Sequence, residues 1–322
     1  TEKRCNINVG DVANNLIYRA NVQSKGLELV AQRADQDKEF LASKDLWFRP
    51  VQFMNAPDGS LYVLDISREL IEGAAFLPPE FMNHLDPISG NDQGRIYRIA
   101  PQGFVSTTPK LSSLSTLELV KLLDHTNGWH RDVAGRLLYT RQDQAAVSPL
   151  RQLVSKGQTA EGRFLALYNL QSLNALDEAS VLAGLHDEQP IVRWHTLKCA
   201  ESLCNQAPAV LHAMNMMADD EDIRVRYQLA FSIGASVAGT RNETLAKLAI
   251  QDVNNSWMQI AILSSLGRGA DKVLVTLASN EAFVANKNGM TLLKELCSQI
   301  GLRNRPHEVS AVINTINEND KL

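Results

Sequence analysis

The chain has 322 residues, a formal net charge of −4, 44% hydrophobic residues and 21% charged residues. That length exceeds one typical domain of roughly 100 to 200 residues, and the composition is globular, which excludes a single small module, a disordered chain and a fibrous repeat. Neither the first 105 residues nor the remainder carries the basic excess that phosphate-backbone binding needs, so nucleic acid is not expected as a partner. No window approaches the roughly 20 apolar residues of a membrane span, and the first thirty residues lack the order of a signal peptide. The opening Thr1-Glu2-Lys3 has no methionine, as expected of a chain whose true start lies upstream. Cys5, Cys199, Cys204 and Cys297 are too few and too scattered for a disulfide framework.

Up to about residue 105 the pattern is one of short β-rich runs broken by turn residues. Asn15 to Ala20, Leu27 to Gln32, Arg49 to Met54, Leu61 to Asp65 and Gly94 to Ala100 read as antiparallel strands. Val51 to Asp65 is the clearest hairpin, because Ala56-Pro57-Asp58-Gly59 supplies a proline-led turn and a glycine able to take positive φ. The connection over residues 66–93 is long for a compact β domain. Ser67 to Gly73 suits a helical turn there, and Leu77-Pro78-Pro79 is expected to break it. Five strands in residues 1–105 cannot close on themselves, so this region reads as the end of a larger β domain.

From about residue 111 to 322 the period becomes helical. Ser115-Thr116-Leu117-Glu118 is a capping-box sequence that opens the first helix. Aligning Arg131, Arg163, Arg193, Arg226 and Trp257 gives a period near 32 residues, with shorter apolar helices at Ala179 to Leu185, Ala209 to Met217 and Leu245 to Ile250 between them. Helix pairs at such a period bury their apolar faces by stacking on one another, which predicts an α-solenoid and an α+β multidomain chain.

Asp187 to Arg193 (DEQPIVR) and Asp220 to Arg226 (DEDIRVR) resemble the acidic turn and Val-Arg opening of HEAT repeats. Upstream, Asp11 to Arg19 (DVANNLIYR), Glu39 to Ser43 (EFLAS), Trp47 to Val51 (WFRPV), Ala56 to Asp65 (APDGSLYVLD) and Gly94 to Ile99 (GRIYRI) occur in a distinctive order. They resemble the last β-propeller blades of the membrane-bound dehydrogenase family of planctomycetes and verrucomicrobia. Asn127 to Asp132 (NGWHRD) and Arg136 to Leu138 resemble the start of that family's HEAT segment. The resemblance implies partial propeller blades over residues 1–105 and a HEAT-like solenoid over 111–322. It also implies a C-terminal portion of a quinoprotein glucose or sorbosone dehydrogenase-like protein, periplasmic or cell-envelope associated. In the full-length protein it implies pyrroloquinoline quinone (PQQ) and Ca2+, a sugar or alcohol substrate, and a protein partner or electron-acceptor domain on the solenoid. No cofactor is expected in this chain alone, which has no Cys-x-x-Cys-His for haem c. The alternative is a non-catalytic protein-protein interaction module.

Arg49, held extended by Pro50, and Asp65, at the exit of its strand, are the leading polar candidates. By the resemblance, Arg49 and Arg68 would bind the cofactor, an arginine clamping a PQQ carboxylate bidentately, and Asp65 would bind a hard cation or accept the substrate proton. The alternative is a structural ion pair between Arg49 and Asp65. Arg68, Glu69, Glu72, His84 and Asp86 would form a polar rim or a solvated loop. The chain departs from the family at Tyr18, where relatives have His, and at Ser67 and Gly73, where they have Tyr and His. His125 and His130 lack a visible third metal ligand and read as turn and packing residues. Cys199 and Cys204, about 140° apart on one helix, read as buried small hydrophobes, and Met214, Met216 and Met217 as core filling. Arg131, Arg163, Arg193 and Arg226 would either tie adjacent repeats through carboxylates such as Asp187 and Asp220 or face a partner's acidic segment.

Overall fold

The computed structural model describes residues 6–71, 76–84, 86–107 and 109–318. Two small antiparallel sheets are followed by helices, an α+β arrangement. Compactness divides the chain into one unit of residues 1–113 and 126–133 and a second of residues 114–125 and 134–322. The division lies near the expected boundary, except that residues 126–133 belong with the sheets. Two bonds account for this. The Asn127 side-chain amide donates to the Ala56 carbonyl at 2.9 Å, and His130 Nε2 lies 2.8 Å from the Pro57 carbonyl.

In the first unit, β1 (Asn6–Asp11), β2 (Leu16–Lys25), β3 (Glu28–Arg33) and β4 (Leu41–Ala42) form one sheet, with β1 on one edge of β2 and β3 and β4 sharing the other. β5 (Pro50–Asn55), β6 (Leu61–Asp65) and β7 (Arg95–Ile99) form the second. Neither sheet closes among the described residues. The strands β1 and β4 were not expected. β1 alternates Asn6 and Asn8 with Ile7 and Val9, so it takes its conformation from pairing along β2 and not from apolar burial. The β5–β6 hairpin is as expected: the Gly59 N–H donates to the Ala56 carbonyl at 2.9 Å, and Gly59 has φ +87°. Ile17, Phe48 and Val63 form the small core, with Phe40, Leu41, Phe53, Leu61 and Ile99 packed against it.

No helix runs through Leu77-Pro78, and a new one begins at the second proline. Pro79 opens a short helix, α1 (Pro79–Met82), because a ring without an N–H loses nothing at a first helical position. No helical turn forms over the described residues 66–71.

In the second unit, α2 (Thr116–Leu122) begins at the full capping box of Ser115 and Glu118. It is followed by α3 (Gly128–Arg141, whose first six residues belong to the first unit), α4 (Val147–Lys156), α5 (Ala160–Ser172), α6 (Glu178–Leu185), α7 (Pro190–Ala200), α8 (Pro208–Met216), α9 (Ile223–Ser232), α10 (Thr240–Gln251), α11 (Ser256–Ser265), α12 (Ala270–Ala278), α13 (Glu281–Ala285), α14 (Lys287–Arg303) and α15 (Pro306–Glu318). Alternate helices stack. α5 packs on α7, α7 on α9 and α9 on α11, while α4 packs on α6 and α6 on α8. One continuous core runs from α6 to α14, with Leu185, Leu197, Leu229 and Ile262 fully buried.

Arginines lock the stack. Arg163, Arg193 and Arg226 each stand fourth in their helix and donate through Nε and Nη2 to both oxygens of Asp187, Asp220 and Asp252 respectively, at 2.6 to 2.9 Å. Each also donates through Nη1 to a carbonyl six residues back, of Gly157, Asp187 and Asp220. Asp187 and Asp220 therefore receive one arginine on the side chain and the next on the backbone, and each turn is tied to its successor. These arginines are structural ties, as one expectation had it, and are not a face presented to a partner. The fifth unit is shifted from its expected register. Gln259, not Trp257, is fourth in α11, and its amide donates to the Val253 carbonyl, again six residues back.

Candidate functional site

The residues expected to do chemistry on the sheet unit come together around the end of β6. Asp65 ends β6 with only 2% of its surface exposed. Its Oδ1 accepts from the backbone N–H groups of Arg49 and Ser67, both at 2.8 Å, and its Oδ2 lies 3.2 Å from Arg95 Nε. The cation beside Asp65 is thus Arg95. The expected Arg49–Asp65 ion pair is corrected to a bond from the Arg49 main chain. The Arg49 guanidinium turns elsewhere, donating to the carbonyls of Arg68 and Glu69 at 2.9 Å each, Val12 at 2.7 Å and Ala13 at 3.3 Å. A guanidinium has five N–H donors in a fixed fork, and four carbonyls take most of them.

Arg68 fastens the same connection, donating to the Ile88 carbonyl at 3.3 Å. Ser67, wholly buried at φ +48°, accepts from Arg95 Nη2 at 2.9 Å, and a Cβ on Gly90 (φ +84°) would overlap its carbonyl oxygen. Tyr18 lies under the Arg33 guanidinium, 5.3 Å from its ring centroid. His84 is exposed, and Asp86 caps the Ile88 N–H at 3.0 Å. Thr1-Glu2-Lys3, Cys5, Glu72 and Gly73 lie outside the described residues. Asp65, Arg49 and Arg68 together hold the two ends of a long connection against a strand terminus.

On the helical unit, Cys199 is buried and its thiol is pushed up to about 12, first by burial. Cys204 is also buried, but it lies beyond the end of α7 and not on one helix with Cys199. Met214 fills the core, whereas Met216 is 54% exposed, because it follows Met214 by two residues and turns about 200° away.

A feature that was not anticipated stands out on the α5–α7–α9–α11 layer. With the fourth residue of each helix pointed at the neighbouring turn, the second, fifth and ninth residues lie at the outer margin of the core, where Trp194 and Tyr227 are half-buried against it. The fifth residues are Phe164, Trp194, Tyr227 and Ile260. The ninth include Tyr168, Lys198 and Phe231, and Ile191 and Trp257 stand second. The rings interlock. His195 stacks on Phe164 at 4.0 Å between centroids, Trp194 meets His195 at 4.4 Å, Lys198 Nζ lies 4.4 Å from the Trp194 ring, and Tyr227 meets Phe231 edge-on at 5.0 Å. Phe231, Trp257 and Ile260 are 38%, 50% and 55% exposed, more than packing within the unit explains. The sequence carries the signal, since an aromatic residue directly follows Arg163, Arg193 and Arg226.

Burial, aided by Lys198, pushes His195 down to about 4, and burial pushes Tyr168 up to about 12. His195 is therefore neutral at pH 7, and its Nδ1 and the Tyr168 hydroxyl share a hydrogen bond of 2.9 Å. Because the unfolded chain protonates this imidazole near pH 6.5 and the folded chain only near 4, its contribution is intact above pH 6.5 and is lost as the pH falls towards 4. Urea unfolding of the helical unit at pH 7 and pH 5 should show lower stability at pH 5, with a smaller difference in His195→Gln. An equal difference in both proteins would contradict the assignment.

No helix among the described residues is long and apolar enough to cross a membrane. No curated protein matches the chain. Residues 2–103, which span the two sheets, match a family described as a domain of unknown function (DUF7133).

Proposed function

We propose that this chain is a protein-interaction scaffold whose helical unit, a HEAT-like solenoid, binds a partner along the aromatic row of α5, α7, α9 and α11. The observation that carries this reading is the recurrence of apolar and aromatic side chains, half-buried or exposed, at the same positions of four alternate helices, in register with the buried arginine ties. Aromatic residues with a polar tip give large contact area at low entropic cost, and contiguous exposed apolar surface of this kind marks an interaction site. Lys198 beside Trp194 favours a partner segment that pairs apolar residues with an acidic one.

The setting is that of the dehydrogenase-like family the sequence resembles. The two sheets are read as propeller blades and the partner as an electron-acceptor domain or other protein of the cell envelope. PQQ, Ca2+ and sugar or alcohol oxidation belong, on this reading, to the protein as a whole. The roles of Asp65 and Arg49 as backbone clamps support scaffolding over catalysis by these residues. Selection of displayed peptides on the intact chain should enrich sequences with spaced apolar residues and an acidic residue. Phe231→Ser combined with Trp257→Ser and Ile260→Ser, all at exposed positions, should reduce their binding at least tenfold. Undiminished binding to that variant would overturn the proposal.

A further inference from the structure

Three buried arginines show what this helical unit supplies to a guanidinium that leaves water. Arg163, Arg193 and Arg226, each 8% exposed, receive an aspartate on the Nε and Nη2 edge. Arg241, second in α10, is 5% exposed and has no such partner. Its Nε and Nη2 donate to Asn242 Oδ1 at 3.2 and 3.0 Å, its Nη1 to the Ser236 carbonyl at 3.3 Å and its Nη2 to the Arg268 carbonyl at 2.6 Å. Every one of these acceptors is neutral. Burial, and then the charge of Arg268, push Arg241 below the ordinary arginine range, whereas their aspartates raise the other three. Burying a cation is costly unless an anion accompanies it.

Arg241 lines a cavity of about 520 Å³ at the starts of α10 and α12. Arg268, Lys272 and Asp271 line it too, as do Arg305 and Glu308, which pair with each other at 3.2 Å. Setting that pair aside, three cations face one carboxylate, which leaves two positive charges uncompensated. Arg268 and Lys272 are exposed, and among the described residues neither has an ionic partner. α12 follows Gly269 without a side-chain cap, so no side-chain oxygen takes its first-turn N–H groups, whereas at the start of α10 the Arg241 and Asn242 N–H groups donate to the carbonyls of Ala238 and Gly239 at 3.3 and 3.0 Å. Gly269 has φ +74°, and a Cβ there would come within 2.6 Å of the Asn242 amide that steadies Arg241. A helix start without a capping oxygen, beside guanidinium groups that lack a carboxylate, suits a compact dianion able to accept from both.

We propose that this cavity binds a small molecule through a dianionic phosphate monoester group, held by Arg241, Arg268 and Lys272 at the N-terminal end of α12. Asp271 limits the affinity by repulsion, and the volume leaves room for a metabolite-sized remainder. The inference is independent of the aromatic row and goes beyond the scaffold reading. The test is calorimetric titration of the full chain with inorganic phosphate and with phenyl phosphate at pH 7.5, the ionic strength fixed with sodium chloride and malonate as the dicarboxylate control. Both phosphates should bind. Arg268→Ala and Lys272→Ala, at exposed positions, should each weaken binding about tenfold, and Asp271→Asn should strengthen it. Arg241→Gln should abolish it with an unchanged far-ultraviolet spectrum. Absence of phosphate binding, equal responses of Arg268→Ala and Asp271→Asn, or malonate binding as tightly as phosphate would each overturn the assignment.

Discussion

Asp65→Ala is expected to destabilise the sheet unit by about 3 kcal/mol, and Asp65→Asn by about 1 kcal/mol. The difference follows from what each oxygen does. Oδ1 accepts from two backbone N–H groups, of Arg49 and Ser67, in a place closed to water, and alanine leaves both without an acceptor. Oδ2 faces Arg95, whose side chain is 38% exposed, so loss of the charge alone is cushioned by solvent. Asparagine keeps the Oδ1 acceptor, gives up the charge and turns an NH2 group towards Arg95, whose partly exposed side chain relieves the contact by moving into solvent. Hydrogen exchange read on peptides covering residues 49–68 checks this, because the two N–H groups and the start of the long connection are followed directly. Equal losses for the two variants would mean that the ion pair, not the main-chain cap, dominates.

A larger effect is expected from Arg193→Met, about 3–5 kcal/mol, because it strands the Asp220 carboxylate, 4% exposed, with neither of its two guanidinium bonds. It also removes the tie to the Asp187 carbonyl, so the turns before α7 and α9 both loosen. Asp220→Asn alone should cost somewhat less, since its amide oxygen still accepts from the Asp222 N–H at 2.9 Å. The double variant should cost less than the sum of the two, the signature of direct coupling. Chemical unfolding of the four proteins measures the cycle, and additive losses would contradict a tie between Arg193 and Asp220.

Where the fold was legible in the sequence, local chemistry decided it. The Ala56-Pro57-Asp58-Gly59 turn and the Ser115–Glu118 box each settle their own geometry within a few residues, and both stand as expected. The periodic arginines were legible because a buried guanidinium needs its carboxylate at a fixed offset, which leaves Asp187 and Asp220 at a recurring distance along the chain. What was not legible depended on partners far away. β1 exists because β2 offers it an edge, and Asp65 chooses Arg95 over Arg49 because β7 returns alongside β6. Trp257 misled the alignment because the helix position that carries the tie holds Gln259, a neutral residue that makes the same backbone bond. The aromatic row was visible letter by letter, yet its meaning required knowing which side of each helix faces the core.

The central claim is that the chain works through the outer face of its helical layer while its buried polar residues maintain the fold. Calorimetry of one selected peptide against three proteins tests it most directly: the unaltered chain, the Phe231→Ser, Trp257→Ser, Ile260→Ser variant, and Asp65→Asn. The account predicts that the first and third bind alike and the second at least tenfold more weakly. Loss of binding in Asp65→Asn with retention in the aromatic variant would contradict it.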